Sequence, residues 1–250
     1  AGVVVTAEHA LQRDEDITVI LADGKSIEAQ VAGRDPGTDL AVLKVETSGD
    51  RQALLGHAEA VKAGELALVV GRSPDSGVNA SLGIVSANSG PWRTWRGGTL
   101  DAYIRLDAKL FPNSSGGAVV NTRGELIGIA TTHLSRIAGL AIPVSDVARV
   151  TRELLEKGFV PRGYLGVAIQ PVKGGLIVLT VEPGGPAESG GMLMGDILTG
   201  IDNGPLEQVE DLQKYCDTKL IGTSLKVKFT RGGAARESDL TVGARPGKRG

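Results

Sequence analysis

Three short stretches carry side chains that could do chemistry together. Val5-Thr6-Ala7-Glu8-His9-Ala10 sets a histidine directly after a β-branched run. Arg34-Asp35-Pro36-Gly37-Thr38-Asp39-Leu40-Ala41-Val42-Leu43 sets an aspartate between a Pro-Gly turn and an apolar strand. Phe111-Pro112-Asn113-Ser114-Ser115-Gly116-Gly117-Ala118 sets a serine in a glycine-flanked turn ahead of a strand. A serine hydroxyl is a poor nucleophile until a base takes its proton. Histidine titrates near neutral pH and can be that base. A buried carboxylate then holds the imidazole in the right tautomer and stabilises its charged form. The attacked carbonyl develops negative charge, which backbone N–H groups must face, and glycines beside the serine let the backbone come that close. Taken singly, each residue has a plainer reading: His9 as a structural histidine, Asp39 as a turn or cap residue, Ser115 as an ordinary turn residue. Their order along the chain is what favours the chemical reading.

Most of the elements that must position these residues are short strands. Ile17–Leu21 followed by Ala22-Asp23-Gly24-Lys25 predicts a hairpin with an Asp-Gly turn. Ser26–Val31, Leu40–Val45, Glu65–Val70, Leu82–Ser86, Ala102–Leu106, Ala118–Val120 and Glu125–Ala130 follow as further strands. Many short strands separated by glycine-rich turns point to a β-barrel or sandwich. One helix is expected over Asp146–Lys157, with Ser145 as N-cap, Gly158 as its end, and Val147, Val150 and Leu154 on one face. After a link over 159–163 the pattern changes. Strands are expected at Val178–Val181 and Ser224–Thr230, a short helix or turn at Pro186–Gly190 and a helix at Val209–Cys216, together a small α+β domain.

The bulk properties bound the reading. The chain has 250 residues, 41% apolar and 22% charged, with a net charge of −2, a normal balance for a globular protein. That charge excludes a polyanion as the default partner, so no nucleic acid is expected. Aromatic residues are only 3%, so Val, Ile, Leu and Ala must build the core. The lone Cys216 excludes an intramolecular disulfide and is read as a small core residue. No apolar run approaches the roughly 18 residues of a membrane span, and no leader is visible. His57 and His133 are expected to be solvated loop residues, and no metal-ligand spacing is present, so neither metal nor cofactor is expected.

The order His, Asp, Ser is that of the chymotrypsin-type triad, and at these residues the chain resembles the HtrA (DegP-type) proteases, trypsin-fold proteases followed by PDZ domains. Arg34–Lys44 resembles the family's aspartate motif, and Asp107-Ala108 leading to Ser115-Gly116-Gly117 its serine motif. Gly83–Ser86, Gly124–Ile129 and Ala141–Val144 also match. The resemblance implies a mainly β, chymotrypsin-like double barrel over 1–158, with the family's first strand missing before Ala1. It implies His9 as general base, Asp39 as its orienter and Ser115 as nucleophile, with the N–H groups of Asn113 and Ser115 as oxyanion donors. The family has Gly-Asn where this chain has Asn113-Ser114, a substitution that bears on that oxyanion hole. Leu110 is implied to line the specificity pocket, and the position six before the nucleophile is Lys109 rather than an acid. A preference for small or medium aliphatic residues follows.

Gly163-Tyr164-Leu165-Gly166-Val167 resembles the carboxylate-binding loop of the family's PDZ domains. A peptide C-terminus would add there as a strand, its carboxylate held by backbone N–H groups. The resemblance assigns 164–245 to this domain and Tyr164, Leu165, Gly166, Val167 and Leu212 to its groove; for Leu212 a plain core role is an equal alternative. The function implied is a serine endopeptidase cutting unfolded or misfolded polypeptides, recruited through peptide C-termini, extracytoplasmic, and a homotrimer at full length. The competing reading is a protease-like scaffold or chaperone that acts through peptide binding without cutting.

Overall fold

In the computed structural model the described residues are 2–47, 52–73, 77–111, 113–135, 137–216 and 220–245. The chain divides into two units, Ala1–Val160 and Pro161–Gly250.

The first unit begins with β1 (Gly2–Ala7), β2 (Ile17–Ile20), β3 (Ser26–Asp35) and β4 (Leu40–Val45). They form an antiparallel sheet in the order β1-β4-β3-β2, so β1 and β2 are its edges. The Asp-Gly hairpin forms as expected. Gly24 takes φ 86°, the N–H of Leu21 donates to the Lys25 carbonyl at 2.8 Å, and the Asp23 carboxylate accepts the Lys25 N–H at 3.0 Å. Ala29, Leu43 and Val45 form a small apolar cluster on this sheet.

Next come β5 (Leu66–Ser73), β6 (Gly77–Ser89), β7 (Trp92–Arg93), β8 (Thr99–Leu100), β9 (Tyr103–Asp107), β10 (Ala118–Val120), β11 (Leu126–Thr131) and β12 (Gly139–Pro143). Six of these close a barrel in the order β10-β11-β12-β9-β6-β5. The long β6 makes the closure possible. Its first part pairs with β5, and it continues along β9 across a register shift between Val85 and Ala87, the kind of bulge that bends a strand round a barrel. Val69, Val85, Ile104, Leu106, Val119 and Ile127 fill the interior.

Helix α1 (Val144–Lys157) packs against β3, β4, β11 and β12, so it ties the open sheet to the barrel. Val150 and Leu154 are fully buried. Gly158 ends the helix at φ 79°, its N–H donating to the Leu154 carbonyl. At its start the structure corrects the expectation: Pro143, not Ser145, holds the N-cap position, and no side chain caps the helix. Strand β12 runs directly into the helix, and Ser145 falls inside the first turn. The buried Asp146 carboxylate instead accepts the Asp101 and Ala102 N–H groups and pairs with Arg149. Burial pushes Asp146 above the usual carboxylate range, against the pull of Arg149.

The second unit comprises β13 (Gly163–Tyr164), β14 (Val167–Val172), β15 (Gly175–Val181), α2 (Pro186–Ser189), β16 (Ile197–Ile201), β17 (Gly204–Pro205), α3 (Val209–Lys214), β18 (Ser224–Arg231), β19 (Ala234–Thr241) and β20 (Gly243–Ala244). Its main sheet runs β14-β15-β16-β18-β19, so β14 is an edge strand, and α3 packs beside that edge. Leu176, Val178, Met192, Leu198, Ile201 and Leu206 form the core. Cys216 packs at its margin. Strand β19 had no sequence expectation: its residues are mostly exposed and polar, so period-two patterning is faint. It is held by full pairing with β18 across a turn in which Gly232 and Gly233 both take positive φ.

Candidate active site

His9 sits in a short 3-10 turn, Glu8–Ala10, that follows β1. Asp39 closes the loop between β3 and β4. The side chain of Asp35 shapes that loop, accepting the Thr38 hydroxyl at 2.6 Å and the N–H groups of Thr38 and Gly37 at 3.2 and 3.3 Å. Asp39 itself takes φ 58°, a left-handed conformation that costs an L-residue energy and is tolerated where the surroundings over-determine it. The surroundings do so here. The Asp39 carbonyl accepts the Glu8 N–H at 3.1 Å, and Gly37 is clamped from the β7–β8 hairpin by the Thr94 hydroxyl at 2.6 Å.

The Asp39 side chain is fully buried. Its oxygens lie 2.8 and 2.9 Å from Nδ1 of His9. They also accept the His9 backbone N–H at 3.1 Å and the Thr131 hydroxyl at 2.5 Å. A buried carboxylate is tolerable when its lone pairs are met by donors of this kind. Nδ1 must carry the proton to donate to it, which leaves Nε2 of His9 as the basic nitrogen.

Ser115 stands in a turn drawn against the strand that leads to His9: Gly116 abuts Thr6 and Ala7. The Ser114 hydroxyl accepts the Phe111 N–H at 3.0 Å, and Gly116 donates to the Ala130 carbonyl at 2.8 Å. Gly117 donates to the Ser114 carbonyl at 3.0 Å. The N–H groups of Asn113 and Ser115 find no acceptor among the described residues. The Ser115 hydroxyl does not bond His9. It lies 3.1 Å from the Thr132 hydroxyl and accepts the Thr132 N–H at 3.2 Å. Leu110 lies over Gly139, where an added Cβ would come within 2.3 Å of the leucine side chain. The ammonium of Lys109 sits 4.9 Å from the Phe111 ring centre.

His57 is the exposed loop residue expected, its side chain 84% accessible. His133 departs from the expectation of a solvated residue. Its ring stacks on His9 at 4.7 Å between centres, with 16° between planes, and Trp95 Nε1 donates to its carbonyl at 3.2 Å. Sequence reasoning missed Thr131, Thr132 and His133 together. They end β11 and begin the connection to β12, and no residue pattern marks them. Among the described residues, no cluster of His, Cys, Asp and Glu could hold a metal ion.

In the second unit Tyr164 pairs with Gly243, and Gly166 takes φ 74° just before the edge strand β14. The N–H groups of Leu165 and Gly166 find no acceptor among the described residues, while both carbonyls do, from Ala187 and Glu182. Leu165 and Leu212 are buried in the core of this unit, and Val167 packs against that core. For Leu212 the core role is therefore real, and the helix that carries it is the one beside the open edge.

An open sheet and a closed barrel joined by a helix, with His, Asp and Ser on three loops between them, define a trypsin-like peptidase domain, here with a second α+β domain after it. The trypsin-like peptidase domain family matches residues 1–129 and the PDZ domain family residues 163–242. A probable periplasmic DegP-like serine endoprotease of Pseudomonas putida (strain W619) is 32% identical over 98% of the chain, and one from Brucella suis biovar 1 (strain 1330) is 32% identical over all of it. The chain covers 54% and 52% of their lengths, so it spans about half of these relatives. Among solved structures, the HtrA-type protease AlgW with a decapeptide superposes with a TM-score of 0.79 at 30% identity, covering 98% of this chain and 80% of that one. The serine endoprotease from Yersinia pestis gives 0.77 at 30%, covering 98% and 86%. The chain belongs to the HtrA family of DegP-like serine endoproteases.

Proposed function

We propose that this chain is a serine endopeptidase in which Ser115 is acylated by the polypeptide it cuts. The carrying observation is the pair His9–Asp39, a buried carboxylate on the imidazole Nδ1 at 2.8 Å, together with a serine turn whose Gly116 abuts Thr6 and Ala7 of the strand that leads to His9. Nε2 of His9 takes the Ser115 proton as Oγ bonds to the scissile carbonyl carbon. The oxyanion formed is received by the unengaged N–H groups of Asn113 and Ser115. The tetrahedral species collapses as His9 returns the proton to the departing amine. Water, deprotonated by the same imidazole, then releases the acyl group and restores the Ser115 hydroxyl.

Leu110 borders the pocket for the residue before the cut, and no acid stands six before the nucleophile, which supports small or medium aliphatic side chains. The groove between β14 and α3 takes peptide C-termini by strand addition, the N–H groups of Leu165 and Gly166 receiving the carboxylate. Substrates are then unfolded or misfolded polypeptides. The naming of relatives as periplasmic supports an extracytoplasmic setting, and the family resemblance a homotrimer at full length.

One observation favours a second reading, the non-cutting scaffold: Ser115 is hydrogen-bonded to Thr132 and not to His9. A fluorophosphonate probe decides between the two. Labelling abolished by Ser115→Ala supports the peptidase; a folded protein without labelling supports the scaffold.

A further inference from the structure

Consecutive residues at the end of β11 each grip a different member of the His-Asp-Ser set. Thr131 donates to Asp39, Thr132 bonds Ser115 through both its hydroxyl and its N–H, and His133 stacks on His9. We propose that Thr132 is a positioning residue that competes with His9 for the Ser115 hydroxyl and so holds the nucleophile back. This rests on the peptidase reading above.

A hydroxyl has one proton and two lone pairs. The Thr132 N–H occupies one lone pair of Ser115 Oγ. If the Thr132 hydroxyl is the donor, the second lone pair is occupied too, and the atom that must attack carbon has none free. If Ser115 is the donor, its proton points to Thr132 instead of to Nε2 of His9, and general-base activation has nothing to act on. Either polarity opposes attack. His133, stacked on His9, joins the base to the same segment. Trp95, bonded to the His133 carbonyl, anchors that segment from the β7–β8 hairpin. Thr131 is different in kind: its bond to Asp39 supports the His9–Asp39 pair and leaves Ser115 untouched. One strand end therefore supports the base and restrains the nucleophile through adjacent side chains.

The test is the rate of fluorophosphonate labelling in the full chain, measured for wild type, Thr132→Val, Thr132→Ser and Ser115→Ala. Valine keeps the shape and removes the hydroxyl; serine keeps the hydroxyl. Thr132 is exposed, so the variants should fold, and Thr132→Ala serves as a second hydroxyl-free variant. The expected result is labelling about three- to tenfold faster in Thr132→Val and Thr132→Ala, the factor that one neutral hydrogen bond is worth. Thr132→Ser should stay near wild type, and peptide cleavage should gain in kcat with KM unchanged. A purely structural role for Thr132 would not give this split between valine and serine. Labelling that depends on Ser115 but is no faster in the hydroxyl-free variants overturns the restraint and leaves the peptidase standing. Labelling that Ser115→Ala does not abolish, or none in any variant, overturns both.

Discussion

Gly116 stands so close to Thr6 that a Cβ built on it would come within 2.3 Å of the Thr6 hydroxyl and 2.7 Å of the Ala7 amide nitrogen. Only glycine fits, and it must also hold φ at 83°, a conformation that costs other L-residues about 1–2 kcal/mol. This contact brings the Ser115 turn to the strand that delivers His9. Gly116→Ala is therefore expected to fold but to push the turn off that strand, with cleavage down about a hundredfold, the loss a misplacement near 1 Å can produce. Peptide binding by the second domain should be unchanged. Full activity in a folded Gly116→Ala protein would disconnect this contact from catalysis.

The donors on Asp39 rank by what they touch. Asp39→Asn keeps the shape but reverses the donor pattern at His9 Nδ1, so the imidazole takes the wrong tautomer. The expected loss in kcat is about ten-thousandfold, as removal of the charge costs a triad of this kind. Thr131→Val deletes one hydrogen bond to the charged group, worth about 1.5–3 kcal/mol, so kcat should fall about ten- to hundredfold with KM little changed. Equal losses in the two variants would mean that Thr131 does more than support the carboxylate.

The residues of the candidate site stand out in the sequence where chemistry demands a particular type: a histidine after a β-branched strand, an aspartate after Pro-Gly, a serine before two glycines; of these the structure puts His9 and Asp39 in direct contact. Their partners were not. Thr131, Thr132 and His133 are common residue types at a strand end, and only the closed barrel brings them to Asp39, Ser115 and His9. The fold shows the same division. Strand β4, apolar and bounded by turns, is read correctly to the residue, as is β10. Strand β6 is read over Leu82–Ser86 but runs Gly77–Ser89, because Asn79, Ser81 and Ser86 dilute its pattern while pairing with β5 and β9 extends it. The start of α1 is misplaced because the tertiary contacts of Asp146 replace a local cap.

Recognition of a peptide end by the second domain should depend on its carboxylate. A peptide with a free C-terminus and apolar last residues should bind at least tenfold more tightly than its amidated form, since the N–H groups of Leu165 and Gly166 would face a charge only in the first. Gly166→Val should weaken binding by a similar factor. Gly166 takes φ 74° and has Gly185 and Pro186 at 3.4 Å from any added Cβ, so a branched side chain displaces the loop. Fluorescence anisotropy with both peptides reads this. Equal affinity for free and amidated peptides would remove the carboxylate from the binding mode.

The helix beside that groove carries its own acid-dependent support. The Asp211 side chain accepts Lys214 Nζ at 2.8 Å and the N–H groups of Gln208 and Glu207 at 3.0 and 3.2 Å, closing a capping box with Gln208. The Lys214 bond first, then the two backbone donors, pull its pKa from 3.8 down to about 2. Because the folded value lies below the unfolded one, the stabilisation is present above pH 3.8 and is lost as pH falls towards about 2. Asp211→Asn cannot ionise. In thermal melts of the full chain, the wild type should exceed the variant by a constant margin above that window, and the margin should shrink across it, since the protonated aspartate is then no better an acceptor than asparagine. An NMR titration of the Asp211 carboxyl gives the midpoint directly. A margin that survives unchanged at pH 2, or a midpoint near 3.8, would show that these donors do not favour the ionised form.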